Sequence, residues 1–268
     1  MIEIITSQHN KFIKLAASLK QKKYRDELGL FIVEGVRLVE EAAQSDWLVE
    51  TCIYTTTALE QGRVQAIVAG LGSKNCRMIE VPAFIYDKIT DTKQPQGIMA
   101  IVQKHTCQLS DVLENEKKPF LVVLDELQDP GNVGTIIRTA TAAGCTAILL
   151  TKGCTDVFAN KVVRASMGSI FAVPIFEGMT HSEVVSCCTQ YGIDILATSL
   201  ESSNIYFKVD FNKPIPLVFG NEGNGVSRQL LEQSQDRLYI PLLGNVESLN
   251  VAACAAVILY EAVRQRQL

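Results

Sequence analysis

Hydrophobic residues in the first hundred positions alternate between short apolar runs and segments with helical spacing. The apolar runs predict strands at 30–33, 48–54, 77–81 and 97–102, and the helical spacing predicts helices at 10–24, 35–44, 59–69 and 83–89. Strands that alternate with helices are typical of an α/β unit with a largely parallel sheet. We therefore predict a first α/β domain over residues 1–104.

A polar connector, predicted at 105–118, follows this domain and holds five charged residues before Pro119. The alternation then resumes over residues 119–268. It predicts strands at 120–124, 147–150, 172–176, 193–197, 215–219 and 238–240, and helices at 132–143, 160–167, 182–191, 227–232 and 248–266. Because 120–124 is almost entirely apolar, we expect a strand buried on both faces of a parallel sheet.

Composition excludes several classes of protein. The chain has 268 residues, 47% of them hydrophobic, and a net charge of −4, which excludes a disordered chain and a partner bound by overall positive charge. No stretch of about 18 apolar residues occurs, and the N-terminus lacks a signal pattern, so we expect no membrane span and no secretion. Eight cysteines without a C-x-x-C pair indicate a reduced, cytoplasmic protein, and the three separated histidines predict no metal site.

The charge is concentrated at the front of the chain. Six basic residues precede Asp26 against the single acid Glu3: Lys11, Lys14, Lys20, Lys22, Lys23 and Arg25. Most lie on the helix predicted at 10–24, whose apolar residues share one face. This cationic face is either a solvated surface or a site for the phosphates of a nucleic acid.

Three loops that follow predicted strands carry the candidate chemistry, since ligands of open parallel sheets bind beyond the carboxyl ends of the strands. The first loop, Asp-Pro-Gly-Asn-Val-Gly at 129–134, leads into the helix that carries Arg138. Asn132 is a candidate N-cap of that helix, but capping leaves Arg138 unexplained. An arginine near a helix N-terminus indicates a bound phosphate or carboxylate.

The other two loops are less specific when each is taken alone. The second, 219–225, has three glycines but the spacing of neither a P-loop nor a dinucleotide-binding loop, so a simple turn and a cofactor cradle both stay open. The third begins at Ile240 and leads to the helix predicted at 248–266, with Ser248 as the expected N-cap. The alanines of that helix suit close packing against the core or against a partner.

Taken together, the loops resemble the three signature motifs of the SpoU/TrmH family of SPOUT RNA methyltransferases. The matching runs are DPGNVGTIIRTA at 129–140, LVFGNEGNGVS at 217–227 and IPLLGNVESLNVAACAA at 240–256, and RASMG at 164–168 resembles a further segment. IVEGVRL at 32–38 more loosely resembles the substrate-binding domain of the family's ribosomal-RNA members.

This resemblance implies an α/β fold with a parallel sheet and a trefoil knot in the second domain, and a smaller, ribosomal-protein-like α/β domain before it. It also implies S-adenosylmethionine as cofactor, a homodimer formed through the C-terminal domain, and methylation of a ribose 2′-hydroxyl in RNA.

Site residues follow from the same resemblance. The catalytic set is Asn132, Arg138, Glu222, Ser248 and Asn250. The cofactor-binding set is Thr198, Ser199, Leu200, Phe219, Gly220, Asn221, Gly223, Ile240, Pro241, Leu242, Leu249, Asn250 and Ala252. For RNA we expect the six basic residues before Asp26 together with Arg37 and Arg164.

The chemistry of these residue types constrains their roles. Arg138 resists deprotonation, so we expect it to hold a phosphate and to stabilise the developing alkoxide instead of acting as a base. Asn132, Ser248 and Asn250 are expected to orient the ribose and Arg138. Glu222 is expected to anchor Arg138 or a loop amide across the dimer interface, and the two options stay open.

Four alternatives compete with a ribosomal-RNA methyltransferase. A nicotinamide-dependent oxidoreductase is disfavoured because the sequence lacks a dinucleotide fingerprint. A non-catalytic RNA-binding protein would explain the basic front helix but would not need the glycine-rich loop. A scaffolding protein explains neither the basic helix nor the glycine-rich loop. A transfer-RNA methyltransferase shares the motifs, but the separate front domain favours large-subunit ribosomal RNA, which is recognised through shape and phosphates.

Overall fold

The computed structural model describes residues 2–114 and 116–267; Met1, Asn115 in the predicted connector and Leu268 lie outside the described residues. The chain forms two compact units. The first holds the described residues up to Thr106 together with Phe158–Phe171, and the second holds Cys107–Val157 and the described residues from Ala172 onward. Phe158–Phe171, which the sequence pattern placed in the second domain, therefore packs as part of the first unit.

The first unit is built on a five-stranded sheet. Its strands are β1 (Ile2–Ile4), β2 (Leu30–Glu34), β3 (Val49–Thr55), β4 (Arg77–Val81) and β5 (Ile98–Gln103). Its helices up to Thr106 are α1 (Lys11–Ser18), α2 (Lys22–Leu28), α3 (Val36–Gln44), α4 (Gly62–Ser73) and α5 (Ala83–Ile89). The single helix predicted at 10–24 is thus two helices, and α2 ends at Gly29, whose φ of 67° suits glycine.

The direction of one strand differs from the prediction. The sheet order is β1-β4-β3-β5-β2, in which β1, β4 and β3 pair in parallel, while β5 runs antiparallel to both β3 and β2. The sheet is therefore mixed, and not largely parallel. An apolar run indicates that a strand is buried, but it contains no information on the strand's direction.

Further helices and strands follow from Cys107 onward. The helices are α6 (Leu109–Leu113), α7 (Pro130–Ala142), α8 (Asn160–Ser166), α9 (His181–Gln190), α10 (Arg228–Gln233) and α11 (Val251–Gln267), and the strands are β6 (Phe120–Leu124), β7 (Ala147–Thr151), β8 (Ile175–Met179), β9 (Leu196–Thr198), β10 (Ile215–Phe219) and β11 (Asp236–Leu238). Helix α8 belongs to the first unit, and α6 lies inside the predicted connector.

Aromatic side chains hold the inserted segment Phe158–Phe171 in the first unit. The buried ring of Phe31 on β2 lies 4.8 Å from the ring of Phe158, and Trp47 lies 5.3 Å from Phe171, edge to face. Gly168 adopts a φ of +93°, and a Cβ there would lie 2.8 Å from Cγ of Glu41. Aromatic stacking and a close backbone approach thus complete the core of this unit.

The second unit contains a six-stranded sheet in the order β11-β9-β10-β6-β7-β8, and every pairing is parallel, as predicted. Strands β6, β7 and β10 are buried along their whole length. Helix α11 packs on α7, and its buried residues are Ala252, Ala255, Ile258, Leu259 and Ala262. Within the described residues, no helix combines the length and apolar character needed to cross a membrane.

Candidate active site

The three motif loops meet at one edge of the second sheet. They follow β6, β10 and β11, and a fourth loop follows β9 at Ser199 and Leu200. These four strands are neighbours in the order β11-β9-β10-β6, and parallel strands present their carboxyl ends at the same edge. Residues that are more than a hundred positions apart in sequence are brought together here.

Helix α7 is capped by Asp129 and not by Asn132. The Asp129 carboxylate accepts a 2.8 Å hydrogen bond from the backbone nitrogen of Asn132, and Pro130 occupies the first helical position. The prediction of Asn132 as cap is therefore wrong. Since Asp129 caps the helix, the Asn132 side chain is left for other contacts.

Those contacts join all three motif loops. The Asn132 amide donates from Nδ2 to Oε1 of Glu222 at 3.1 Å, and its Oδ1 accepts from Nδ2 of Asn250 at 3.0 Å. This chain of hydrogen bonds fixes the amide of Asn132 from both sides. Of the five predicted catalytic residues, the structure thus connects Asn132, Glu222 and Asn250 directly.

Glu222 binds the backbone of the first motif loop within its own chain. It accepts from the backbone nitrogens of Gln128 at 3.3 Å and Asp129 at 3.2 Å, in addition to Asn132. Partial burial acts to raise the pKa of Glu222, but these hydrogen bonds outweigh it, so its pKa lies below the ordinary value. Within one chain, this geometry matches the binding of loop amides, and the anchoring of Arg138 across a dimer interface stays a prediction.

Arg138 and Ser248 are both exposed. Arg138 lies in the third turn of α7 and makes no hydrogen bond or ion pair with the described residues, so its guanidinium is available to a ligand. Ser248 lies in the loop before α11 and does not cap it. Asn250 is the cap, because its Oδ1 accepts from the backbone nitrogens of Ala252 at 2.9 Å and Ala253 at 3.3 Å. The prediction of Ser248 as N-cap is wrong.

The glycine loop, residues 219–225, is closed on itself. Asn221 and Gly225 exchange two backbone hydrogen bonds of 2.9 Å, and a Cβ at Gly220 would lie only 2.1 Å from the backbone of Gly225. The Asn221 side chain donates to the carbonyl of Glu126 at 2.8 Å and accepts from the backbone nitrogen of Gly223 at 2.9 Å. Asn221 therefore shapes the loop with its side chain, and only glycine fits at 220.

The remaining residues of the predicted cofactor set lie on the neighbouring loops. Thr198 ends β9 and donates to the carbonyl of Val218 on β10 at 3.0 Å, and the backbone nitrogen of Ser199 donates to Leu238 on β11 at 2.9 Å. Phe219 and Ala252 are buried, whereas the others are half-buried or exposed: Leu200, Ile240, Pro241, Leu242 and Leu249. These residues present apolar side chains and backbone polar groups, and the charged side chains on the same loops are Glu201, Glu222 and Glu247.

One pair of side chains at this edge was missed by the sequence reasoning. Nε2 of His181, the first residue of α9, lies 2.8 Å from Oδ1 of the buried Asp125, which directly follows β6. The ligand atoms of Asp125, Glu126 and His181 lie within 4.8 Å of one another, but the short Asp125–His181 contact is a hydrogen bond. The position of Asp125 at a strand end was a usable signal, whereas His181 lies 56 residues away and is reached only through the strand order.

The predicted RNA-binding cations separate into exposed and internal groups. Lys11, Lys14, Lys22, Lys23 and Arg37 are exposed. Lys20 donates to the carbonyl of Thr90 at 2.8 Å and pairs with Asp91 at 3.1 Å. Arg25 is buried and donates to the carbonyl of Leu19 at 2.7 Å, and Arg164 in α8 has a buried Nη1 without a hydrogen-bond partner in the described residues. Arg25 thus holds the two front helices together instead of facing solvent.

Known families match both parts of the chain. The SpoU rRNA Methylase family matches residues 119–260, and the MRM3-like substrate binding domain matches residues 10–100. The chain belongs to the SpoU rRNA methylase family.

Individual relatives are similar over nearly the full length. The chain is 35% identical to the 23S rRNA (guanosine(2553)-2′-O)-methyltransferase RlmP of Bacillus subtilis, over 96% of this chain and 97% of that protein. An AdoMet-bound rRNA methyltransferase from Sinorhizobium meliloti is 32% identical with a TM-score of 0.85, and covers 98% of both chains. The SpoU methyltransferase AviRb from Streptomyces viridochromogenes, in complex with AdoMet, is 28% identical with a TM-score of 0.85, over 97% of this chain and 99% of that one.

Proposed function

We propose that this protein transfers a methyl group from S-adenosylmethionine to a ribose 2′-hydroxyl of large-subunit ribosomal RNA. The observation that carries the proposal is the hydrogen-bonded chain Glu222–Asn132–Asn250, which joins the three motif loops, and the exposed Arg138 lies on the helix that begins at the first of them. The names of the similar proteins support it, since they are ribosomal-RNA methyltransferases and include AdoMet-bound forms.

The donor set at the loops suits S-adenosylmethionine. The loops after β9, β10 and β11 offer backbone polar groups and the apolar side chains of Leu200, Ile240 and Leu242, which fit a nucleoside held by shape and main-chain hydrogen bonds. The tight turn at Gly220 leaves the loop backbone free of a side chain at that point. When bound, the cofactor supplies an activated methyl group.

The protein's own residues supply orientation and charge. Arg138 binds the phosphate next to the target ribose and stabilises the negative charge that develops on the 2′-oxygen. Asn132, fixed by Glu222 and Asn250, orients the ribose, and Ser248 completes the ribose contacts from the third loop. The proton of the 2′-hydroxyl passes to water.

The first unit fits the task of recognising RNA. Lys11, Lys14, Lys22, Lys23 and Arg37 expose positive charge that is suited to phosphates. The match of residues 10–100 to a substrate binding domain supports this assignment. Guanosine is the expected target nucleoside, by analogy with the relative from B. subtilis, and the expected compartment is the cytoplasm, where ribosomal RNA of bacteria resides.

A homodimer formed through the second unit is part of the proposal. Exposed apolar side chains surround the start and outer face of α11, namely Leu243, Val246, Leu249, Val257 and Tyr260. Burial of such a patch against a second copy removes apolar surface from water. Sedimentation should therefore give a dimer, and Val257→Glu with Tyr260→Glu should give a monomer. The trefoil knot implied by the motifs stays a prediction.

The decisive experiment uses ribosomal RNA from a strain that lacks the gene. Purified protein with methyl-labelled S-adenosylmethionine should label one 2′-hydroxyl of large-subunit RNA, and Arg138→Ala should not. Arg228→Ala is the matched control, because Arg228 is an exposed arginine whose one ion pair among the described residues is with Glu232 on the same helix. Labelling of transfer RNA alone would overturn the substrate assignment, and RNA binding without transfer would overturn the activity.

A further inference from the structure

A buried carboxylate organises the carboxyl edge of the second sheet. Asp125 accepts hydrogen bonds from the hydroxyl of Thr151 at 3.0 Å, the backbone nitrogen of Ser227 at 2.7 Å and Nε2 of His181 at 2.8 Å. These partners come from the end of β7, the exit of the glycine loop and the start of α9. A buried carboxylate is tolerated only when its oxygens are paired, so each donor is required.

The partner with the clearest link to the proposed site is Ser227. Its backbone nitrogen lies two residues beyond Gly225, which closes the glycine loop by pairing with Asn221. The same loop is held at its other side by Asn221, which donates to the carbonyl of Glu126, the neighbour of Asp125. Residues 125–126 therefore hold the loop at both its entry and its exit.

His181 controls the orientation of the Asp125 carboxylate. Its ring donates to Oδ1 together with the Thr151 hydroxyl, which leaves Oδ2 directed at Ser227. Nδ1 of the ring lies 3.3 Å from Oε1 of Gln229, and the Gln229 amide donates to Ser182 at 3.2 Å. Glu126 adopts a φ of +55°, which is uncommon for a residue with a side chain and is maintained by its surroundings.

We propose that His181 is a positioning residue for the glycine loop, acting through Asp125 on the backbone of Ser227. Loss of the His181 donor leaves the Thr151 hydroxyl as the remaining donor to Oδ1, so the carboxylate is held less firmly towards Ser227 and the exit of the loop is less fixed. The inference rests on the proposed function for the identity of the ligand that the loop binds, S-adenosylmethionine. It adds to that function a residue that lies outside the three motifs.

Calorimetric titration of S-adenosylmethionine into the full-length protein, without RNA, tests this role. His181→Ala should weaken cofactor affinity by about tenfold or more, as expected when a buried charged acceptor loses its donor. His181→Gln should stay within about threefold of wild type, because its amide nitrogen reaches the position of Nε2. His181→Asn, one methylene shorter, falls short of Asp125 and should behave like alanine. His9→Ala, an exposed histidine of the first unit, is the control that should change nothing.

A second measurement separates positioning from folding. The amide resonance of Ser227, hydrogen-bonded to a carboxylate, should shift in His181→Ala and return in His181→Gln. Wild-type cofactor affinity in both the alanine and asparagine variants would overturn the proposal, and so would an equal loss in the folded glutamine variant. If His181→Ala does not fold, the glutamine and asparagine variants decide. Failure of the wild type to bind S-adenosylmethionine refutes the proposed function instead, and the Ser227 resonance then still tests the His181 contact.

Discussion

Replacement of Gly220 by alanine tests whether closure of the glycine loop is needed for cofactor binding. A Cβ at this position would lie 2.1 Å from both the carbonyl carbon of Gly225 and the backbone nitrogen of Val226. The backbone would have to move by about 1.3 Å to restore ordinary contact. Because both atoms belong to the backbone, no side chain can rotate away, and the Asn221–Gly225 pair has to open.

The cost follows from these contacts. Overpacking costs about 1–3 kcal/mol, and the two lost backbone hydrogen bonds contribute about 1 kcal/mol each. A loss of at least about 3 kcal/mol should lower the melting temperature of the second unit by about 6–12 °C. If the loop must close for the cofactor to bind, the affinity for S-adenosylmethionine should fall by about 100-fold.

Calorimetry of unfolding and of cofactor binding measures both effects. Gly223→Ala is the control for stability, because a Cβ there would meet only Oδ1 of Asn221 at 3.6 Å, an ordinary contact. Gly70→Ala, which meets nothing within 4 Å, is the control for cofactor binding. A Gly220→Ala protein that melts and binds the cofactor like wild type would show that the loop does not need its closed form.

Three further predictions concern charge. Arg138→Ala should bind S-adenosylmethionine almost normally and lose turnover by about 100–1,000-fold, as measured by methyl transfer, because we propose that its guanidinium binds the RNA and not the cofactor; unchanged turnover would remove it from the catalytic set. The pKa of Glu222 is lower in the folded protein than in the unfolded chain, so the ionised carboxylate stabilises the folded state. This stabilisation is fully present above the pKa of the unfolded chain, and it is lost as the pH falls through the folded pKa. Melting temperatures should therefore fall more steeply between about pH 5 and 3 in wild type than in Glu222→Gln, and parallel curves would contradict this. The double substitution Lys22→Ala with Lys23→Ala should weaken RNA binding. It should also reduce the slope of log affinity against log salt concentration by about 0.9 for each lost phosphate contact to a duplex, and an unchanged slope would show that RNA binds to another surface.

The elements that the sequence predicted best are those with continuous apolar runs. Strands β6 and β10 begin and end where the pattern places them, because both are buried on both faces of a parallel sheet. Strand β1 was missed, since Ile2–Ile4 is a short edge strand whose residues are all exposed. The break between α1 and α2 was also missed, because the apolar spacing of residues 10–24 continues across it.

The site was predictable as far as its loops, but not in its contacts. Pro130 was the overlooked signal for the cap of α7, since proline at the first helical position places the cap at Asp129. The contacts of Glu222 with residues of the first motif loop depend on β10 lying beside β6, which no local pattern encodes. The same holds for Asp125 and His181, whose strands are separated in the sheet by β7.

The packing of Phe158–Phe171 in the first unit has a consequence for how the protein is made. The aromatic surface around Phe31 and Trp47 is synthesised early, but the segment that covers it emerges only about 65 residues after Thr106. At ribosomal rates of about 5–20 residues per second, this leaves an interval of about 3–13 s in which a nearly finished domain exposes its aromatic core. During that interval the nascent chain is a substrate for chaperones. If synthesis stops before Phe158, the first unit cannot complete its aromatic core.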